Sequence, residues 1–181
     1  LRKTMTTPVY DQRIHYGMQL GSGTLDLQPS LTYAGEAGRL SWGAQLTGTA
    51  RMEKRNESGF GFGDIFQSSV WGGVRWTPWL ASTLRAVYTT QGRIRGRYPA
   101  SEEIDINTGE LFVPEHLGPF DFPSNYGGKF VDVGVGLNVT PGGTWRGSNL
   151  KLEWLQPGRE KVIGYQQERD STLVFSWNVQ F

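Results

Sequence analysis

The sequence predicts an all-β protein, an antiparallel up-and-down transmembrane β-barrel, on three observations. Apolar residues alternate with a period of two almost throughout, which is the pattern of half-buried strands. The connections between these runs are short and long in strict turn, as in barrels with short turns at one end and long loops at the other. Glycine and aromatic residues are abundant (25 Gly, seven Trp, 13% aromatic) although the mean hydropathy is polar at −0.43. A barrel reconciles these features, because half of each strand faces lipid and half a polar lumen.

Seven strands are legible, in chain order. Residues 24–34 set Leu25, Leu27, Leu31 and Tyr33 against Asp26, Gln28, Ser30 and Thr32. Residues 39–54 set Leu40, Trp42, Ala44, Leu46, Ala50 and Met52 against Gln45, Thr47, Thr49, Arg51 and Glu53. Residues 65–77 set Phe66, Val70, Val74 and Trp76 against Gln67, Ser69, Gly73 and Arg75. Residues 79–96 set Leu80, Leu84, Ala86 and Tyr88 against Thr83, Arg85, Thr89, Gln91, Arg93 and Arg95. Residues 128–139 set five alternate apolar residues, Val131 to Val139, against Asp132, Gly134, Gly136 and Asn138. Residues 148–156 set Leu150, Leu152 and Trp154 against Lys151, Glu153 and Leu155. Residues 171–181 set Leu173, Phe175, Trp177, Val179 and Phe181 against Val174, Ser176, Asn178 and Gln180.

Tight connections are expected at Gly35–Gly38, Thr77-Pro78 and Pro141–Arg146, and long ones at 55–64, 97–126 and 157–169. A soluble sandwich or lipocalin-like binding barrel shares the composition but has no reason for this alternation. Tyr33, Trp42, Trp76, Trp79, Trp145 and Phe181 fall near the short-turn ends; Trp154, Tyr88 and Tyr165 fall nearer the long loops. Amphipathic rings collect at membrane interfaces in this way.

The remaining bounds are mostly exclusions. The length suits one domain spanning 1–181, or a C-terminal segment of a larger one. No run of about 20 apolar residues offers a transmembrane helix. A net charge of +1 argues against nucleic acid as a partner. Without cysteine there is neither a disulfide nor a thiol nucleophile. His15 and His116 sit in expected loops with no Ser or Asp partner by spacing, so no enzyme is expected. No His or Cys pattern suggests a metal, and Asp105–Glu110 lacks the terminal Glu of a calcium loop. Gly59–Gly63 opens no helix and implies no phosphate cradle. No cofactor is expected.

The closing residues Phe175, Trp177, Val179 and Phe181, with Leu173, match the outer-membrane assembly signal, a terminal aromatic preceded by alternate apolar residues. The stretch Met18–Leu27 with Leu31-Thr32-Tyr33, and Leu152–Pro157 followed by Gln167–Asp170, resemble the outer-membrane barrels of the phenol meta-pathway transporter type. The resemblance covers about a fifth of the chain. It implies the bacterial outer membrane, with lipid, lipopolysaccharide and the barrel assembly machinery as partners, and uptake of hydrophobic, aromatic or other small organic compounds. In that family the first stretch follows earlier strands, which implies a C-terminal segment of a larger barrel.

By parity Arg51, Arg75, Arg85, Arg93, Arg95 and Lys151 point into the lumen, as do Asp26, Glu53, Asp132 and Glu153. Opposed charges across a narrow lumen would make a transverse field, as at a pore constriction. The commoner role of such residues is structural, ion pairs that hold a barrel interior together. The acidic connection from Tyr98 to Gly127 would fold into the lumen or bridge lipopolysaccharide through divalent ions. The expected function is passive passage or uptake of small molecules; a structural or adhesive barrel with a plugged lumen is the alternative. Seven strands is an odd number and closure favours an even one. Residues outside this chain are therefore expected to pair with the strand at 24–34. The competing arrangement makes residues 5–20 an eighth strand against 171–181.

Overall fold

The computed structural model describes residues 16–18, 20–97, 103–104, 108, 111–112, 118–145 and 147–180. Twelve β segments run in chain order. They are β1 (Asp26–Leu27), β2 (Ser30–Ala37), β3 (Leu40–Arg51), β4 (Phe60–Gly61), β5 (Ile65–Thr77) and β6 (Leu80–Gln91). After them come β7 (Arg95–Gly96), β8 (Glu103–Ile104), β9 (Leu111–Phe112), β10 (Gly128–Val139), β11 (Ser148–Val162) and β12 (Thr172–Val179). One antiparallel sheet holds the long strands in the order β1/β2, β3, β5, β6, β10, β11, β12. β1 and β2 occupy one strand position, both against β3, so the sheet has seven positions, each next to its neighbour in sequence. Two short ribbons, β4 with β7 and β8 with β9, stand apart from it.

The all-β antiparallel expectation is met, and all seven expected strands are present. The sheet is open: among the described residues β12 pairs only with β11, and β1/β2 only with β3. Residues 16–18, inside the stretch 5–20 that the competing arrangement makes an eighth strand, form a 3-10 turn. Residues 1–15, where the rest of that strand would fall, lie outside the described residues, as do His15, His116 and Phe181.

Registry places one apolar row after another across the sheet. Ala37, Leu40, Val74, Ser82, Leu137, Leu152 and Phe175 lie side by side, and so do Gly35, Trp42, Gly72, Leu84, Val135, Trp154 and Leu173. This face is bare: Leu31, Val70, Leu84 and Phe175 each keep more than half of their surface exposed. The opposite face carries polar and small residues, yet Gly43, Ser69, Gly73, Val87 and Gly134 on it are buried. Among the described residues no helix or second sheet covers them, so same-face neighbours do so, as in a sheet curved toward its polar side.

Glycine makes that close approach work. A Cβ on Gly43 would lie 2.2 Å from the Trp71 ring, and one on Gly136 2.5 Å from Thr83 Oγ1. At Gly38, φ is +59°, which favours glycine in the two-residue turn between β2 and β3.

The other short connections are Pro78-Trp79, where expected, and 140–147; the long ones are 52–64, 92–127 and 163–171. Two sequence boundaries shift. β6 ends at Gln91, not at 96, where Gly92 packs against Gly63 and donates its N–H to Asp64 O at 2.9 Å. β11 runs past Pro157 to Val162 through a bulge at Gly158, with Asp132 opposite Pro157 and Val131 opposite Arg159. A proline has no N–H for the ladder, and a bulge is where a strand tolerates it. The longer β11 moves Trp154 level with Trp42 and Leu84, in the short-turn half, not near the long connections.

Candidate functional site: the polar face

Three ion-paired groups are spaced along the polar face from the long-connection end downward. At the top, Arg51 ends β3 and pairs with Asp26 of β1, its register partner. Ser22 Oγ and Thr24 Oγ1 also donate to Asp26, at 2.7 and 2.8 Å, so the chain entering the sheet is pinned to the carboxylate. The Arg51 guanidinium lies 5.8 Å from the centre of the Phe62 ring.

Arg169 comes from the 163–171 connection and folds onto the same face. It donates to Asp132 (Nη2 to Oδ1 2.6 Å, Nη1 to Oδ2 3.2 Å) and to Glu160, and its guanidinium sits 4.5 Å from the Phe130 ring centre. One cation here meets two carboxylates.

Midway down, Arg85 of β6 reaches Glu153 of β11 across the whole of β10. Its Nη2 donates to Oε2 at 2.9 Å; its Nε is 2.8 Å from Oε1 but off line for a hydrogen bond. Gly134 and Gly136 of β10 clear the lane, since a Cβ at either would stand 3.0 Å or less from side chains of this group: Leu155 and Glu153 for Gly134, Thr83 for Gly136. Trp71 is level with Arg85, across from it in the β5–β6 register.

The other sequence-predicted residues are scattered. Arg75 is exposed near the short turns, 3.8 Å from Glu36. Lys151 is exposed between Asn138 and Ser176 in register. Glu53 lies past the end of β3, where its carboxylate accepts from Leu25 N–H at 3.4 Å. Arg93 and Arg95 follow the end of β6, so strand parity no longer aims them: Arg93 is exposed, and Arg95 in β7 donates to Asp64 at 3.1 Å. Sequence reasoning missed Trp71, Asp64, Glu160 and Arg169. Parity alone would have placed Trp71 beside Ser69. Glu160 was hidden by ending the strand before Pro157. Strand parity does not mark Arg169, which arrives from a connection.

Residues of two long connections and of the turn before β1 form a small core of their own. Tyr16, Phe60 and Ile94 are buried together, with Phe62 and Tyr126 packed against them. Tyr16 meets Phe60 and Tyr126 edge-on, at centroid distances of 4.8 and 5.9 Å. Burial pushes the Tyr126 phenol above its usual 10.0. Among the described residues no group of His, Cys, Asp and Glu is arranged to hold a metal.

Asp64 ties two connections together, accepting from Arg51 N–H at 2.8 Å as well as from Arg95. The Arg51 backbone N–H, and then Arg95, hold its carboxyl below the usual 3.8. A lowered folded pKa stabilises above the ordinary value and is lost as pH falls below it. The tie should therefore persist from neutral pH down to the usual 3.8, and the protection of the Arg51 and Gly92 amides, measured against their intrinsic exchange rates, should fall only below that pH. Protection already lost at pH 6 would refute this. Comparison with protein-family models, with curated proteins and with solved structures yields no match to this chain.

Proposed function

We propose that this sheet forms wall of an outer-membrane β-barrel, with the apolar face toward lipid and the polar face toward a lumen that passes small molecules. One observation carries the reading. From the row of Leu80, Val139, Leu150 and Trp177 up to that of Leu46, Ser68 and Tyr88, the apolar face has no charge on any strand through β10. A soluble sheet would not leave such a surface bare, because large exposed apolar patches mark an interface. From Leu80 to Tyr88 a strand advances roughly 26 Å at about 3.3 Å per residue. At a tilt of about 35–45° this is about 19–22 Å along the membrane normal, most of the ~25 Å apolar band of such barrels. Trp42, Trp76, Trp79, Trp145, Trp154 and Trp177 gather toward the short-turn end, and Tyr88 and Phe66 lie toward the other, as interfacial girdles do. The two sheet edges must then be paired, since unpaired backbone inside a bilayer costs several kcal/mol per group.

The resemblance to meta-pathway transporters supports a small organic solute. A second reading, a barrel with a closed lumen, is favoured by the apolar core that Tyr16, Phe60, Phe62, Ile94 and Tyr126 build from the long connections and the turn before β1. Planar-bilayer recording separates the two: a solute-passing barrel conducts, a plugged one does not. Selectivity should depend on the Arg85–Glu153 pair. Arg85→Gln bares Glu153 and should shift the reversal potential in a salt gradient toward cations; Glu153→Gln should shift it toward anions. The double variant should fall between them. Equal reversal potentials in all three would place the pair away from the ion path.

A further inference from the structure

Three cations break the charge-free apolar face, all at its long-connection end on β10 and β11. Lys129 stands directly opposite Lys161, and Arg159 opposite Val131 on the next row of the same face. All three are exposed, and none has an ion pair or side-chain hydrogen bond among the described residues. Directly opposed side chains on adjacent strands have Cβ atoms about 4.5–5.5 Å apart, so like charges there destabilise the pairing. Among the described residues nothing on this face offsets that repulsion.

The arrangement depends on one extra residue. Without the bulge at Gly158, every residue of β11 beyond it would change faces. Glu160 would point to the apolar side, and Arg159 and Lys161 to the polar side. The bulge instead sends Glu160 inward to Arg169 and both cations outward. Bulges re-aim side chains in this way.

We infer that Lys129, Arg159 and Lys161 bind the phosphates of a membrane lipid headgroup, as a lipid-A-like diphosphate would supply at the outer rim of the wall. This rests on the barrel reading above. The cations sit where the apolar band ends, with Tyr88 in the same row as Val131 and Arg159. A polyanion shared between Lys129 and Lys161 turns their repulsion into two charge-assisted contacts. An acidic side chain cannot serve, since the face offers none among the described strands.

The test uses the full chain, purified in detergent and delipidated, titrated with diphosphoryl lipid A in mixed micelles. The comparison ligands are dephosphorylated lipid A and inorganic phosphate. The native chain should prefer diphosphoryl to dephosphorylated lipid A by about tenfold or more. Lys129→Gln with Lys161→Gln should abolish that preference, and Arg159→Gln should reduce it. All three residues are exposed, so the variants should fold, as unchanged heat-modifiable mobility would show. A double variant that keeps the preference overturns the site. So does inorganic phosphate that displaces the lipid at equal concentration, which would mark a free-anion site. Cell fractionation keeps the two readings apart. A chain found in the outer membrane whose variant still prefers the diphosphate refutes the site alone; a chain found in the soluble fraction refutes the barrel.

Discussion

Leu84→Arg or Val133→Arg should prevent assembly in a membrane, while Thr83→Arg, one residue from Leu84, should be tolerated. Leu84 and Val133 lie on the apolar face near mid-height, Leu84 59% and Val133 44% exposed. Thr83 is on the polar face, between Gly73 and Gly136 in register. An arginine facing lipid near the bilayer midplane costs about 2–4 kcal/mol, whereas one facing an aqueous lumen has water around it. At 1.4 kcal/mol per decade that is roughly a 30- to 1,000-fold change in the folding equilibrium. If this sheet were instead a soluble protein, the same arginines would replace exposed apolar surface and improve solubility. Outer-membrane abundance of the three variants, and their folding into lipid vesicles, measure the difference. Equal assembly of Leu84→Arg and Thr83→Arg would sink the assignment of faces.

The second large effect is expected at Gly43. Its missing side chain is the seat of the Trp71 ring, and an added Cβ would come within 2.2 Å of that ring. Ring and strand cannot both stay. Gly43→Ala should therefore destabilise the sheet by roughly 1–3 kcal/mol, the usual cost of forcing extra volume into a packed site. The loss should appear as a lower midpoint of urea unfolding in vesicles. Trp71→Ala vacates the space, so adding it to Gly43→Ala should recover much of the loss. Strict additivity of the two substitutions would show that the ring is not the obstacle. The double variant should also widen the polar face beside Arg85, a change visible as raised single-channel conductance if the lumen conducts.

Alternation alone was enough to read the all-β class, the seven strand positions and the two faces. Strand side chains change sides at every residue, so a run such as Val131 to Val139 declares its faces without any partner. The tight turns were legible for a related reason. Gly38 and Pro78 interrupt the alternation with residues suited to turns, and the chain does turn there.

What the sequence could not settle is whatever depends on a neighbouring strand or connection. The end of β6 is decided by the contact of Gly92 with Gly63, 29 positions earlier, so the parity of Arg93 and Arg95 was read too far. The reach of β11 is decided by its pairing with β10, which carries it over a proline that read as a stop. Parity named Arg85 and Glu153 as residents of one face. That they form a pair follows from registry, 68 residues apart, and from two glycines that leave β10 low between them. Arg169 joins Asp132 and Glu160 only because its connection folds back over the sheet. Periodicity is a property of one strand and is written in its residues; registry, bulges and the paths of connections belong to pairs of segments, and only the folded sheet brings those segments together.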